Sequence, residues 1–164
     1  MDEQSMSGKP STSPRYFEDF AIGDRIIAPG RYVLHEEEIL DFARRYDPQV
    51  IHLDAEAAKQ SIFNGLSASG WHSLAITMRL MEEAKPLGSL PVTGLGAELR
   101  WLKPVRPGDV LRAEGEVVNL WPLQSKPDHG LIQIRVTTYD QTEAPVIVQT
   151  WSWIVPKASR YRDG

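Results

Sequence analysis

Apolar residues recur at helical spacing in the first half of the chain and alternate as in strands in the second. Over residues 36–46, EEEILDFARRY, the positions Ile39, Leu40, Phe42, Ala43 and Tyr46 share one side of a helix, and three glutamates sit where a helix N-terminus favours negative charge. Pro48 disfavours helical backbone in the residue before it, so this helix is expected to end at Tyr46 or Asp47. Beyond the breakers Asn64-Gly65-Leu66-Ser67, the residues Ala68, Trp71, Leu74, Ala75, Met78 and Met81 mark the apolar stripe of a second helix running to about Lys85. Few charges precede Arg79 on its other faces, which predicts that much of its circumference is enclosed. Short strands are expected at 25–28 and 32–34. Long ones follow: 93–103, with Leu95, Ala97, Leu99 and Trp101 on one face, then 110–120, 131–139 and 146–155, separated by turns rich in Pro and Gly. Helices gathered first and long strands afterwards predict an α+β fold, with an antiparallel sheet packed on one main helix.

Composition bounds this picture. A chain of 164 residues with 41% hydrophobic residues can bury one core but hardly two, so one domain is expected over residues 15–156. Residues 1–14 are small and polar with two prolines and read as a flexible leader, and 157–164 read as a charged tail. A net charge of -4 without a basic block argues against a nucleic-acid surface. The chain has no cysteine, which removes disulfides, a thiol nucleophile and cysteine-based zinc sites. No apolar run approaches the ~18 residues needed to span a bilayer, and no apolar signal segment opens the chain, so a cytoplasmic protein without membrane partners is expected.

The candidate chemistry lies within 46–81. Asp47 stands at a helix end, His52 follows five positions later, and Gly70 opens the second helix eighteen positions after that. A carboxylate, an imidazole and a helix N-terminus with free N–H groups are the parts needed to move a proton and stabilise an oxyanion. Taken singly, Asp47 is by default a cap or turn residue and His52 a packed or hydrogen-bonded histidine, but no turn chemistry calls for all three together. Asp54 reads as the N-cap of a short helix over 55–60. His72, on the first turn of the second helix, either lines a pocket or helps bury the helix end, and Trp101, Trp151 and Trp153 read as core or dimer packing. Other chemistries fit less well: in Gly65-Leu66-Ser67-Ala68-Ser69 a serine occupies the second glycine position of a hydrolase elbow. His52, Asp54 and His72 lack a His-x-x-x-His pair, so neither a metal nor another cofactor is expected.

The run Asp47-Pro48-Gln49-Val50-Ile51-His52-Leu53-Asp54, the step to Gly70 and the later Lys103-Pro104-Val105-Arg106-Pro107-Gly108-Asp109 resemble the MaoC-like hotdog proteins, which include (R)-specific enoyl-CoA hydratases. The resemblance spans about residues 17–155. It implies an antiparallel sheet wrapped around a long central helix, and a homodimer or higher homo-oligomer with an acyl-CoA near the subunit interface. It also implies that Asp47 and His52 hold and activate a water, that the Gly70 N–H receives the thioester oxygen, and that Ser69, Trp71 and His72 are candidates for the pocket lining. The family's usual motif, Asp-x-Asn-Pro-x-His with a later His-Gly pair, is altered here: Gln49 and Val50 replace Asn-Pro, Ser69 precedes the glycine, and Met78 stands where some hydratases carry serine. A hotdog thioesterase and a non-catalytic acyl-CoA binding module are the alternatives. Candidate cations for the CoA phosphates are Arg44, Arg45, Arg100, Lys103 and Arg106.

Overall fold

Three long strands, β4 (Val110–Pro122), β5 (His129–Tyr139) and β6 (Pro145–Pro156), pair antiparallel and form the centre of a sheet. The computed structural model describes residues 13–159, so the expected leader and tail lie for the most part outside the described residues. Two short strands, β1 (Arg25–Ile27) and β2 (Tyr32–Val33), both pair with β4. Among the described residues the strand β3 (Thr93–Trp101) pairs with β6 alone, so the path runs β1-β4-β5-β6-β3 with β3 at its end. Helices α1 (Glu36–Tyr46), α2 (Val50–Leu53), α3 (Ala55–Ala58) and α4 (Gly70–Glu83) complete the fold. This is the expected α+β arrangement, with α4 packed on the sheet.

Register explains which side chains meet α4. Val117, Ile134 and Trp151 form one cross-strand row, Gly115, Val136 and Gln149 the next, and Ala113, Thr138 and Ile147 a third. All nine are buried, as the period of two requires when one face of a sheet meets the core. Burying a side chain such as Ile134 stabilises by about 1.5–3 kcal/mol. A Cβ on Gly115 would come within 3.1 Å of the Met81 Cε and 3.0 Å of the Ile134 Cγ2, so its missing side chain lets α4 approach β4.

Of the apolar stripe expected along 68–81, Ala68 and Met81 are buried, but the rest of it is not the face that packs on the sheet. The buried residues are His72, Ser73, Ile76, Thr77, Leu80 and Met81, whereas Trp71 is 58% exposed and Met78 40%. Hydroxyls make the polar face tolerable: Thr77 Oγ1 donates to the Ser73 carbonyl at 2.9 Å and also meets Thr138 Oγ1 at 2.7 Å. With partners supplied from its own helix and from β5, a small polar side chain enters the core at little cost. The helix is therefore open on the side of Trp71, Ala75 and Met78 in the single chain, not enclosed around most of its circumference. The expected alternation in β3 is likewise present in register, with Ala97, Leu99 and Trp101 opposite Trp151, Gln149 and Ile147, but the strand stays largely uncovered. Trp151 and Trp153, by contrast, are core residues.

Candidate active site

The carboxylate of Asp47 is delivered by a helix end. Its N–H closes α1 on the Ala43 carbonyl at 3.0 Å, and Pro48 forbids continuation. Helix α1 is fixed at its other end by Glu38, whose carboxylate accepts the His35 N–H at 3.1 Å and the Tyr32 hydroxyl, and that hydroxyl bond holds the Glu38 carboxyl below its ordinary range. The stretch carrying His52 forms a single helical turn, α2. Asp54 ends it and caps α3, accepting the Glu56 and Ala57 N–H groups at 2.9 and 3.0 Å as anticipated.

These pieces bring Asp47 and His52 face to face. His52 is 5% exposed, and its Nδ1 lies 2.7 Å from the Ser67 carbonyl. A carbonyl only accepts, so Nδ1 carries a proton, and in the neutral form of the ring Nε2 is the acceptor. Nε2 stands 3.4 Å from Asp47 Oδ2. The Asp47 carboxylate receives two neutral donors, the Ser69 hydroxyl on Oδ2 at 2.6 Å and the Gln49 amide on Oδ1 at 2.7 Å. The Ser69 bond first, the Gln49 bond second and the nearby imidazole hold its carboxyl below the usual range against the opposing effect of burial. Two acceptors aimed at one space can hold a water by both its hydrogens.

Gly70 opens α4 directly behind Ser69. At the first helical position its N–H has no carbonyl four residues back within the helix, and no acceptor among the described residues takes it. The Trp101 indole lies against it, donating Nε1–H to the Gly70 carbonyl at 3.1 Å, and a Cβ at Gly70 would sit 2.5 Å from the indole Cε2. Only glycine leaves room for that ring. Asp47, His52 and Gly70 then line one cavity of about 460 Å³, walled by Ile51, Phe63, Ala68, Trp71, Trp101, Leu102 and Val105 with Ser73, Lys103 and Gln49. Mostly apolar walls with a few convergent polar groups are the general character of a small-molecule site.

Of the suggested lining residues, Trp71 is on the wall, and Ser69 lies beside it through its bond to Asp47. His72 is not on the wall: its ring stacks on Phe42 of α1 at 4.6 Å with planes 2° apart, and burial lowers its pKa. It buries the helix end. Arg106 is engaged by backbone, donating to the Leu66 carbonyl at 3.1 Å and to the Phe63 carbonyl, so it braces the loop between α3 and α4. Arg44 pairs with Asp41 at 3.1 Å and Lys103 with the buried Asp140, while Arg45 and Arg100 are exposed. Sequence reasoning did not foresee the roles of Gln49, the Ser67 carbonyl or Trp101. A signal existed only for Ser69, a serine directly before a helix.

A family model, the MaoC like domain, matches residues 19–139. The chain belongs to the MaoC-like family. An uncharacterised protein of Bacillus subtilis, YdeM, is 32% identical over 130 residues, covering 79% of this chain and 90% of its own. The mesaconyl-CoA hydratase of Cereibacter sphaeroides is 32% identical over 144 residues, 86% of this chain, but this chain spans only 40% of that enzyme. Among solved structures, a MaoC-like dehydratase from Rhodospirillum rubrum is 40% identical with a TM-score of 0.79, covering 87% of this chain and 97% of its own. These neighbours give the MaoC-like fold its hotdog architecture and the family its broad activity, hydration and dehydration. No helix among the described residues is long and apolar enough to cross a membrane.

Proposed function

We propose that this protein is a cytoplasmic hydratase/dehydratase of acyl thioesters, adding water across the C2–C3 double bond of a 2-enoyl-CoA to give a 3-hydroxyacyl-CoA, or removing it. The observation that carries the reading is the 3.4 Å approach of Asp47 Oδ2 to His52 Nε2, both residues lining the cavity that Gly70 also lines. Water held by the two acceptors gives one proton to the Asp47–His52 pair as its oxygen bonds to C3. The C2–C3 electrons move toward the thioester carbonyl, whose oxygen becomes an enolate stabilised by the Gly70 N–H at the positive end of α4. The pair returns a proton to C2, so water is added and no proton is gained or lost. The two groups act as one coupled acid–base unit.

Kinship with a mesaconyl-CoA hydratase supports an acyl-CoA substrate. The unpaired edge β3, with Leu95 and Trp101 62% and 48% exposed, and the open α4 side at Trp71 and Met78 support a homodimer, because a long uncovered edge and apolar face invite a second copy. The test is hydration of crotonyl-CoA and longer enoyl-CoAs by the purified protein, with chiral analysis of the 3-hydroxyacyl product and a thiol reagent reporting free CoA. Enoyl loss without CoA release is expected, and Asp47→Ala or His52→Ala should slow it on the order of 100-fold or more. Variants as fast as wild type, or CoA release in place of hydration, would overturn the assignment.

A further inference from the structure

Ser69 holds two parts of the site at once. It is 1% exposed, its Oγ accepts the Trp71 N–H at 3.3 Å and donates to Asp47 Oδ2 at 2.6 Å, and the next residue is Gly70. The lengths are unequal. As a helix cap the hydroxyl makes a long bond, whereas its single proton goes into a short, charge-assisted bond across 22 residues of sequence. A cap alone would not need the carboxylate.

We propose that Ser69 is the positioning residue of this site, a hydroxyl that fixes the Asp47 carboxylate in register with the N–H of Gly70 and keeps Oδ2 facing His52 Nε2. Its role in turnover rests on the hydratase reading; its hold on Asp47 does not. With Oδ1 taken by Gln49 and Oδ2 by Ser69, the carboxylate plane cannot rotate without breaking a bond, and the backbone links one of those bonds directly to the oxyanion donor. Gln49 is exposed and Ser69 buried, so the Ser69 bond is the less screened of the two. The other groups around Asp47 do not duplicate it. His52 faces the same oxygen from α2, Arg44 on the last turn of α1 is engaged by Asp41, Arg45 is exposed, and the Lys103 ammonium on the cavity wall is held by Asp140.

Glycine is nearly as good a helix N-cap as serine, so Ser69→Gly deletes the hydroxyl while sparing α4. The first readout needs no activity: carbon NMR of the Asp47 side-chain carboxyl through a pH titration. Loss of a hydrogen bond to the charged form should raise the Asp47 midpoint by about one to two pH units in Ser69→Gly and Ser69→Ala, and by less in Gln49→Ala. In the hydration assay, kcat should fall about 10-fold with little change in KM, and the acid limb of the pH profile should move up with the midpoint. An Asp47 midpoint unchanged in Ser69→Gly overturns the proposal, as does loss of folding in both Ser69 variants, which would assign the residue to the helix cap. A raised midpoint in a protein with no hydratase activity at all would sink the proposed function and leave the positioning role standing.

Discussion

Replacing Gly70 by alanine separates what the site needs from what the fold needs. The added methyl would lie 2.5, 2.6 and 2.9 Å from Cε2, Nε1 and Cζ2 of Trp101. Relaxed carbon contacts are about 3.5–4.0 Å, so the indole must retreat by roughly 1–1.5 Å. It can do so, because Trp101 is 48% exposed and meets Trp71 edge-on at 5.6 Å. The movement breaks the indole bond to the Gly70 carbonyl, costing about 0.5–1.5 kcal/mol. Against that, alanine restricts the unfolded chain and returns about 0.4–1 kcal/mol. Net stability should change by less than about 1 kcal/mol, a Tm shift of roughly 2–4 °C at this size. Activity should suffer far more, because Trp101 is a wall of the cavity beside Gly70, the oxyanion donor of the proposed mechanism, and a ~1 Å misplacement at a reacting centre costs about 100-fold. Thermal denaturation, tryptophan emission and kcat/KM on crotonyl-CoA measure the three quantities together. A Gly70→Ala protein with wild-type kcat/KM and unchanged emission would refute the packing argument. One that loses about 10 °C or more would show that the glycine serves folding.

Other consequences follow from the same contacts. Thr77→Val leaves the Thr138 hydroxyl buried without its 2.7 Å partner and should cost about 1–3 kcal/mol, most of it recovered in Thr77→Val/Thr138→Val; urea unfolding of these two variants and of Thr138→Val measures the cycle, and additive losses would contradict a coupled pair. Asp140 is buried, salt-bridged to Lys103, and accepts the Thr142 and Ala144 N–H groups and the Thr142 hydroxyl, which together hold its carboxyl far below the usual range. Because the folded pKa is depressed, its contribution is complete above the unfolded value of about 3.9 and is lost as pH falls toward the folded one. The advantage of wild type over Asp140→Asn should therefore begin to shrink as pH falls below about 4 in pH-dependent urea midpoints and go on shrinking with further acid, and an advantage that stays constant there would refute the linkage. Leu95→Glu, on the open edge β3, should convert a dimer to monomers in sedimentation analysis; a wild type that sediments as a monomer removes the premise.

The sequence disclosed local facts well and distant ones poorly, and the site needs both. Alternation in β5 predicted its buried face because one strand records its own exposure every second residue. The same logic selected the wrong stripe on α4, since hydroxyls on Ser73 and Thr77 find acceptors one helical turn away and enter the core, leaving Trp71 and Met78 outside. Asp47 and His52 were legible because they are five residues apart on either side of a forced helix end. The bond from Ser69 to Asp47 and the brace from Arg106 to Phe63 cross 22 and 43 residues, and no local periodicity encodes them. Seen as departures from the family's motif, Gln49 and Ser69 are two separate changes around an acid, a histidine and a glycine that stay in place. In the folded chain they end on the two oxygens of one carboxylate, so what differs from the usual motif is the means of holding the acid, while the acid itself, the histidine and the glycine remain together on one cavity.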